Sequence, residues 1–428
     1  MKRGLGWLLL VVTFAALAIA IFIFLRPSGS TDPLAVSGAE ALFSLVPDSA
    51  TDILIAPAAA PAYAVVRANA LTSSLLDSWK ESGSLRWIPL ALGRSPLVCW
   101  RNKSGDWACA ARPDPFRLRL LPLITRLAPG IRVTQSDGTL LMGNQDREPP
   151  ASGPIAVSGL WSGLTGHLFY IQLPGRKAGF PPIGRPAVTA ATIRSDAIAL
   201  ETRAASEKEL RRLQRDDLPV QPLFAGRVSE PPEIFRRIDR ILPLDTGPLL
   251  ANGGLVVLYE IDDTKLLPRP RGVVAVDDTP GLSESLDRKI GSIPTIESQT
   301  SRVEAGTEIV SRRGAGFVVE WARVDGELIL AFDASSMTKY LGERGARKPS
   351  RPEGDIAWIV RFRPREILPA LRSIEGNDAI KLLARDAHRA IERLYRDAKP
   401  FETAGEVQMT LRQKGAFDEL SVWVDTSK

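Results

Sequence analysis

The chain has 428 residues, 44% hydrophobic and 24% charged, with 55 Lys and Arg against 49 Asp and Glu for a net charge of +6. That balance excludes an intrinsically disordered chain, and the length allows two domains or one large one. Lys2, Arg3 and Arg26 carry three of the surplus charges, and both signs are interspersed thereafter. The basic stripe of a nucleic-acid-binding protein is missing, so no nucleic-acid partner is expected.

Leu5 to Leu25 runs without a charge. An apolar helix of that length crosses about 30 Å of hydrocarbon, and the cations before it place the N-terminus inside. The competing reading is a cleaved signal peptide, but the run is longer than that segment's usual apolar region and meets Arg26-Pro27 directly, which favours an uncleaved anchor. The expectation is a single-pass protein of the cytoplasmic (inner) membrane. Residues 1–4 would be the cytoplasmic N-terminus, 5–25 a transmembrane signal anchor and 26–40 a linker, with an extracytoplasmic domain beyond.

Past the linker, strands and helices mix. Asp52-Ile-Leu-Ile-Ala reads as a strand, and a helix is expected from about Pro61 to Glu81. The stretch from Leu97 to Ala110 holds the only two cysteines. Lys103-Ser104-Gly105 reads as a three-residue hairpin loop. Counting outward sets Cys99 opposite Cys109 as a non-hydrogen-bonded pair, with Cα atoms ~4.5 Å apart. That lies within disulfide range. Cys-x-x-Cys redox spacing is absent, and zinc would need two further ligands where only His167 and His388 exist. A cross-strand disulfide leads, with two reduced core thiols as the alternative.

Asp114-Pro115 opens a helix, and a hairpin turns at Asp137-Gly138. Strands follow at 155–158, 167–172, 188–194 and 197–203, then a capping box at Ser206-Glu-Lys-Glu209 predicts a short helix. The second half has strands at 255–261 and 273–276 and a hairpin turned at Asp325-Gly326. A strand at 355–363, a long helix from Asp378 to Lys399 and a closing hairpin end the chain. Ser136-Asp-Gly-Thr-Leu-Leu-Met parallels Val324-Asp-Gly-Glu-Leu-Ile-Leu, and similar elements flank both. This predicts two degenerate repeats, 41–218 and 222–428. The fold class is α+β: a transmembrane helix, then a mostly antiparallel sheet/helix ectodomain.

The motifs that could carry chemistry are sparse. Ser336-Met-Thr-Lys339 spells the Ser-x-x-Lys of serine acyl-enzymes, without its companion motifs. Asp245-Thr246-Gly247 has no second copy to share a proton with. Asp262-Asp263 and Asp277-Asp278 lie at opposite ends of a hairpin, too far apart for one cation. His167 and His388 lack a nucleophile motif beside them. No catalytic residue, cofactor or metal is therefore assigned. Arg385, Arg389, Arg393 and Arg396 share one face of the long helix and offer a surface for an anionic partner.

The strand–Pro–helix elements (Asp52 to Pro57, Asp355 to Pro364) and the two Asp-Gly hairpins resemble those of bacterial single-pass envelope proteins of unknown function. That resemblance implies no activity and no site residues. The expected function is a non-enzymatic binding or scaffold protein of the cell envelope, partnered by the membrane and by an envelope protein, lipid or anionic polymer. The alternatives are an envelope hydrolase using Ser336 and Lys339, and a carrier of lipid or another hydrophobic ligand.

Overall fold

The computed structural model describes residues 42–77, 91–102, 107–119, 132–136, 138–143, 160, 163–173, 186–213, 218–220, 222–229, 253–262, 269–278, 281–282, 284, 287–288, 296–304, 306–314, 317–331, 333–345, 355–376, 388–389, 392, 395 and 399–427. The chain forms two compact units, Met1–Ala205 and Ser206–Thr426.

The first unit contains β1 (Ala50–Ala56), helices α1 (Ala59–Ala68) and α2 (Ala70–Asp77), β2 (Leu97–Asn102), β3 (Trp107–Ala111), β4 (Arg132–Ser136), β5 (Thr139–Gly143), β6 (Leu168–Gln172), β7 (Ala187–Ile193) and β8 (Ala197–Ala205). They hydrogen-bond antiparallel in the order β4-β5-β3-β2-β1-β6-β7-β8. Both faces are apolar. Ala56, Leu97, Cys109, Ala111 and Leu140 pack against Ala59 and Ala62 of α1. Ile53, Ile55, Val98, Phe169 and Ile171 are buried on the opposite side. Burial on two sides explains why these strands read as near-continuous apolar runs rather than clean alternations.

The second unit contains β9 (Phe224–Val228), β10 (Gly254–Asp262), β11 (Arg269–Asp277), β12 (Ile296–Glu304), β13 (Thr307–Gly314), β14 (Phe317–Val324), β15 (Glu327–Ala331), helix α3 (Ala334–Gly345), β16 (Ile356–Phe362), helix α4 (Pro364–Glu375), β17 (Val407–Lys414) and β18 (Phe417–Asp425). Its order is β12-β13-β14-β15-β11-β10-β9-β16-β17-β18, again antiparallel throughout. With β12 and β13 set aside, the two orders match strand for strand. The register matches too. One row across the first sheet is Leu141, Ala110, Val98, Ile55, Phe169, Ala190. The corresponding row in the second is Ile329, Ala275, Leu255, Arg227, Ile359, Thr410. The β14–β15 turn takes positive φ at both Asp325 (50°) and Gly326 (77°). That is the two-residue hairpin geometry for which Asp-Gly is suited.

Four expectations are corrected. The fold is mostly antiparallel sheet, with eighteen strands against four helices of eight residues or more among the described residues, and not an α+β fold hung from a membrane helix. Among the described residues no helix is long and apolar enough to cross a membrane. The run 5–25 that motivated the anchor lies outside the described residues, and no helix among the described residues supports the single-pass, inner-membrane placement. The apolar content is spent on the two faces of each sheet. The helix expected over 61–81 breaks between α1 and α2. Asn69, fully buried, donates to the Arg194 carbonyl at 2.8 Å and accepts the Thr72 N–H at 3.1 Å. It thereby caps a new helix inside a run of helix formers. The capping box at Ser206 forms no helix. Gln413 donates to the Ser206 hydroxyl (2.5 Å) and the Lys208 carbonyl (3.0 Å), and these side-chain contacts hold the segment open.

His167 leads into β6, and its Nδ1 accepts the Ile193 N–H at 3.0 Å. Burial, then the Arg194 charge, holds its pKa below the ordinary 6.5. A base depressed on folding contributes stability above its unfolded pKa that is lost as pH falls below it. The urea midpoint should therefore fall as pH drops below about 6.5. His167→Asn, whose carbonyl oxygen replaces Nδ1 as acceptor, should flatten that part of the profile. An unchanged slope in the variant would assign it to another group.

Candidate functional site

Across the two matching rows, one residue stands apart. At the position of Ile55 in the first sheet, β9 carries Arg227, 6% exposed. The frame accepts an isoleucine there, so the guanidinium is not needed to build it. Burying it costs several kcal/mol unless it is paired and hydrogen-bonded. Glu327, the first residue of β15, does the pairing: Arg227 Nη1 donates to its Oε1 at 2.8 Å. Arg344 of α3 donates to the other oxygen of Glu327 and reaches Asp325 Oδ2 at 3.3 Å. By the Asp-Gly hairpin match, Glu327 stands where the first unit has Thr139. Burial alone would raise the Glu327 pKa, but the charges and hydrogen bonds of Arg227 and Arg344 outweigh it and hold the carboxyl below its ordinary value.

Beside this triad opens a cleft of about 280 Å³. Its lining includes Arg211, Arg227, Ser229, Gly254, Asp277 and Glu327. Asp277 ends β11 and is the cross-strand partner of Glu327, so both carboxylates face the same side. Gly254 keeps the start of β10 close to β11, where an added Cβ would meet the Ala275 carbonyl at 2.6 Å. Arg211 arrives on the segment following Ser206, which is tied down at several points. The Ser206 N–H donates to the Ala416 carbonyl at 2.8 Å, Leu210 N–H to Gln413 Oε1 at 2.9 Å, and Leu213 N–H to the Ile356 carbonyl at 2.7 Å. The Ser229 hydroxyl donates to the Arg211 carbonyl at 2.5 Å and fixes that residue beside the end of β9. Arg212 is engaged with Asp355 at 3.0 Å. The cleft therefore presents cations from the β9 side and carboxylates from the β11–β15 side. Among the described residues no group of three His, Cys, Asp or Glu could hold a metal ion.

The residues singled out from sequence lie elsewhere. Cys99 and Cys109 are cross-strand partners in β2 and β3, joined by a disulfide. They face the α1 side of the first sheet, amid Ala59, Leu97 and Leu140. Ser336 is 2% exposed, and its hydroxyl donates to Asp333 Oδ2 at 2.6 Å. Its N–H donates to Asp333 Oδ1 at 2.8 Å, which makes Asp333 the cap of α3. Lys339 lies over the Tyr259 ring, 4.4 Å from its centroid. Asp262 pairs with Arg271 at 3.0 Å and Asp278 with Arg323 at 3.2 Å. His388 contacts the Glu375 carbonyl at 2.8 Å. Of the four arginines, Arg389 is helical and exposed, while Arg385, Arg393 and Arg396 lie outside the described residues, as does Asp245-Thr246-Gly247.

Sequence reasoning missed the cleft because it missed β9. Phe-Ala-Gly-Arg-Val is short, holds a glycine and a charge, and does not alternate. The signal that could have found it is the repeat. Aligning the halves on their Asp-Gly hairpins and tracing the registers outward sets Arg227 against Ile55.

Fold and site together define an antiparallel-sheet protein of two similarly wired units, the second of which carries a charged cleft. No family model, curated protein or solved structure matches the chain.

Proposed function

We propose that the chain is a non-enzymatic binding protein whose second unit takes a small polar ligand in the cleft beside Arg227 and Glu327. The observation that carries this reading is the buried Arg227–Glu327 ion pair standing where the first unit has Ile55 and Thr139 on an otherwise matching frame. A buried charge is weak support for stability, so its presence asks for another use. A cleft of about 280 Å³ sits near the lower end of small-molecule sites, roughly 300–1,000 Å³. The serine-hydrolase alternative has less behind it. The Ser336 hydroxyl is spent on the helix cap, and Lys339 is turned to an aromatic ring.

The test is equilibrium titration of the whole chain, followed by calorimetry, with three related probes: glycylglycine, its N-acetyl form and its C-terminal amide. Saturable binding of at least one, lost in the Arg227→Ile/Glu327→Thr variant, is the expected result. No binding of any probe would overturn the reading.

A further inference from the structure

The cleft has two charged groups that the fold leaves unused. Arg211 is exposed, and its guanidinium has no hydrogen bond or ion pair among the described residues; only its backbone carbonyl is engaged, by Ser229. Asp277 is half-buried, and its carboxylate likewise has no such partner among the described residues. The other charged residues of the lining are occupied: Arg212 by Asp355, Glu327 by two arginines, and Asp325 by Arg344. Arg211 is held beside β9, and Asp277 ends β11, with β10 between them.

On this basis, and resting on the binding reading above, we infer that the cleft recognises a small dipolar ligand, its carboxylate held by Arg211 and its ammonium by Asp277. The chemistry excludes the simpler charge types. An anion alone would leave the Asp277 carboxylate unanswered and a cation alone would leave the Arg211 guanidinium unanswered, while Arg227 and Glu327 already answer one another at 2.8 Å. A ligand with both charges matches both ends.

The three-probe titration separates this inference from the reading beneath it. Glycylglycine should bind at least ~10-fold more tightly than either capped form, a factor equivalent to ~1.4 kcal/mol. Arg211→Ala should abolish the advantage of a free carboxylate and keep that of the free amine. Asp277→Asn should do the reverse. Neither group has a fold-stabilising partner among the described residues, so both variants should keep the wild-type urea midpoint, and the cross-pattern assigns each end of the ligand to one residue. Equal binding of glycylglycine and a capped form would overturn the dipolar inference and leave a binding cleft standing. Binding unchanged in both variants would overturn the assignment of Arg211 and Asp277. Failure of all three probes would overturn both proposals.

Discussion

Replacing Glu327 by leucine is expected to lower stability by about 3–5 kcal/mol, the cost of leaving a buried charge uncompensated. Arg227 is 6% exposed and donates to Glu327 at 2.8 Å; with the carboxylate gone its guanidinium stays buried without that anion. The matching frame position supplies the control. Arg227→Ile/Glu327→Thr restores the residues that the first unit carries at Ile55 and Thr139. It should recover most of the loss or exceed the parent, since apolar replacements of buried ion pairs are often neutral or stabilising and Arg344 keeps Asp325 and the Val324 carbonyl as partners. Urea midpoints at constant m-value read both effects. A double variant as unstable as Glu327→Leu would mean that the frame needs the ion pair. The pH profile gives an independent check. Glu327 is depressed on folding, so its contribution is full above the ordinary carboxylate value of about 4.5 and is lost as pH falls through the lower folded value. Glu327→Leu should remove that acid limb and leave the His167 slope, which begins near 6.5, in place.

The second large effect belongs to the disulfide. Cys99 and Cys109 are ten residues apart, and closing a loop of that size stabilises by roughly 2–3 kcal/mol through the unfolded state. Cys99→Ala/Cys109→Ala should lower the urea midpoint correspondingly, and reduction of the parent should do the same. Labelling of the denatured chain without reductant should find no thiol. Two labelled thiols in that experiment would mean a pair of reduced core cysteines.

What could be read from the sequence was local. The Asp-Gly turns fix their own hairpins because Asp325 and Gly326 must both take positive φ. The cysteine hairpin could be counted outward from its loop. The two similar sheet orders were hinted at by those same turns, although similar wiring needs pairings that only the fold supplies. The cleft was hidden for a different reason. Arg227, Asp277, Glu327 and Arg211 come from four separate segments, and none has a motif around it. Arg227 also breaks the apolar pattern by which a strand is recognised, so the residue that matters most concealed its own element. The ribbon β12–β13 was missed because Ile-Glu-Ser-Gln-Thr-Ser-Arg-Val-Glu is polar along most of its length, as an exposed edge strand can be. Asn69 was missed because its cap acts only once the Arg194 carbonyl is brought to it.

The central claim is that the second unit departs from a common frame in order to bind something. The most direct measurement is a glycylglycine titration of Arg227→Ile/Glu327→Thr beside the parent, with urea unfolding of both. The account predicts a variant that folds with most or all of the parent's stability and no longer binds. A variant that keeps the parent's affinity would contradict the assignment of the cleft, and one that fails to fold would show the triad to be part of the frame.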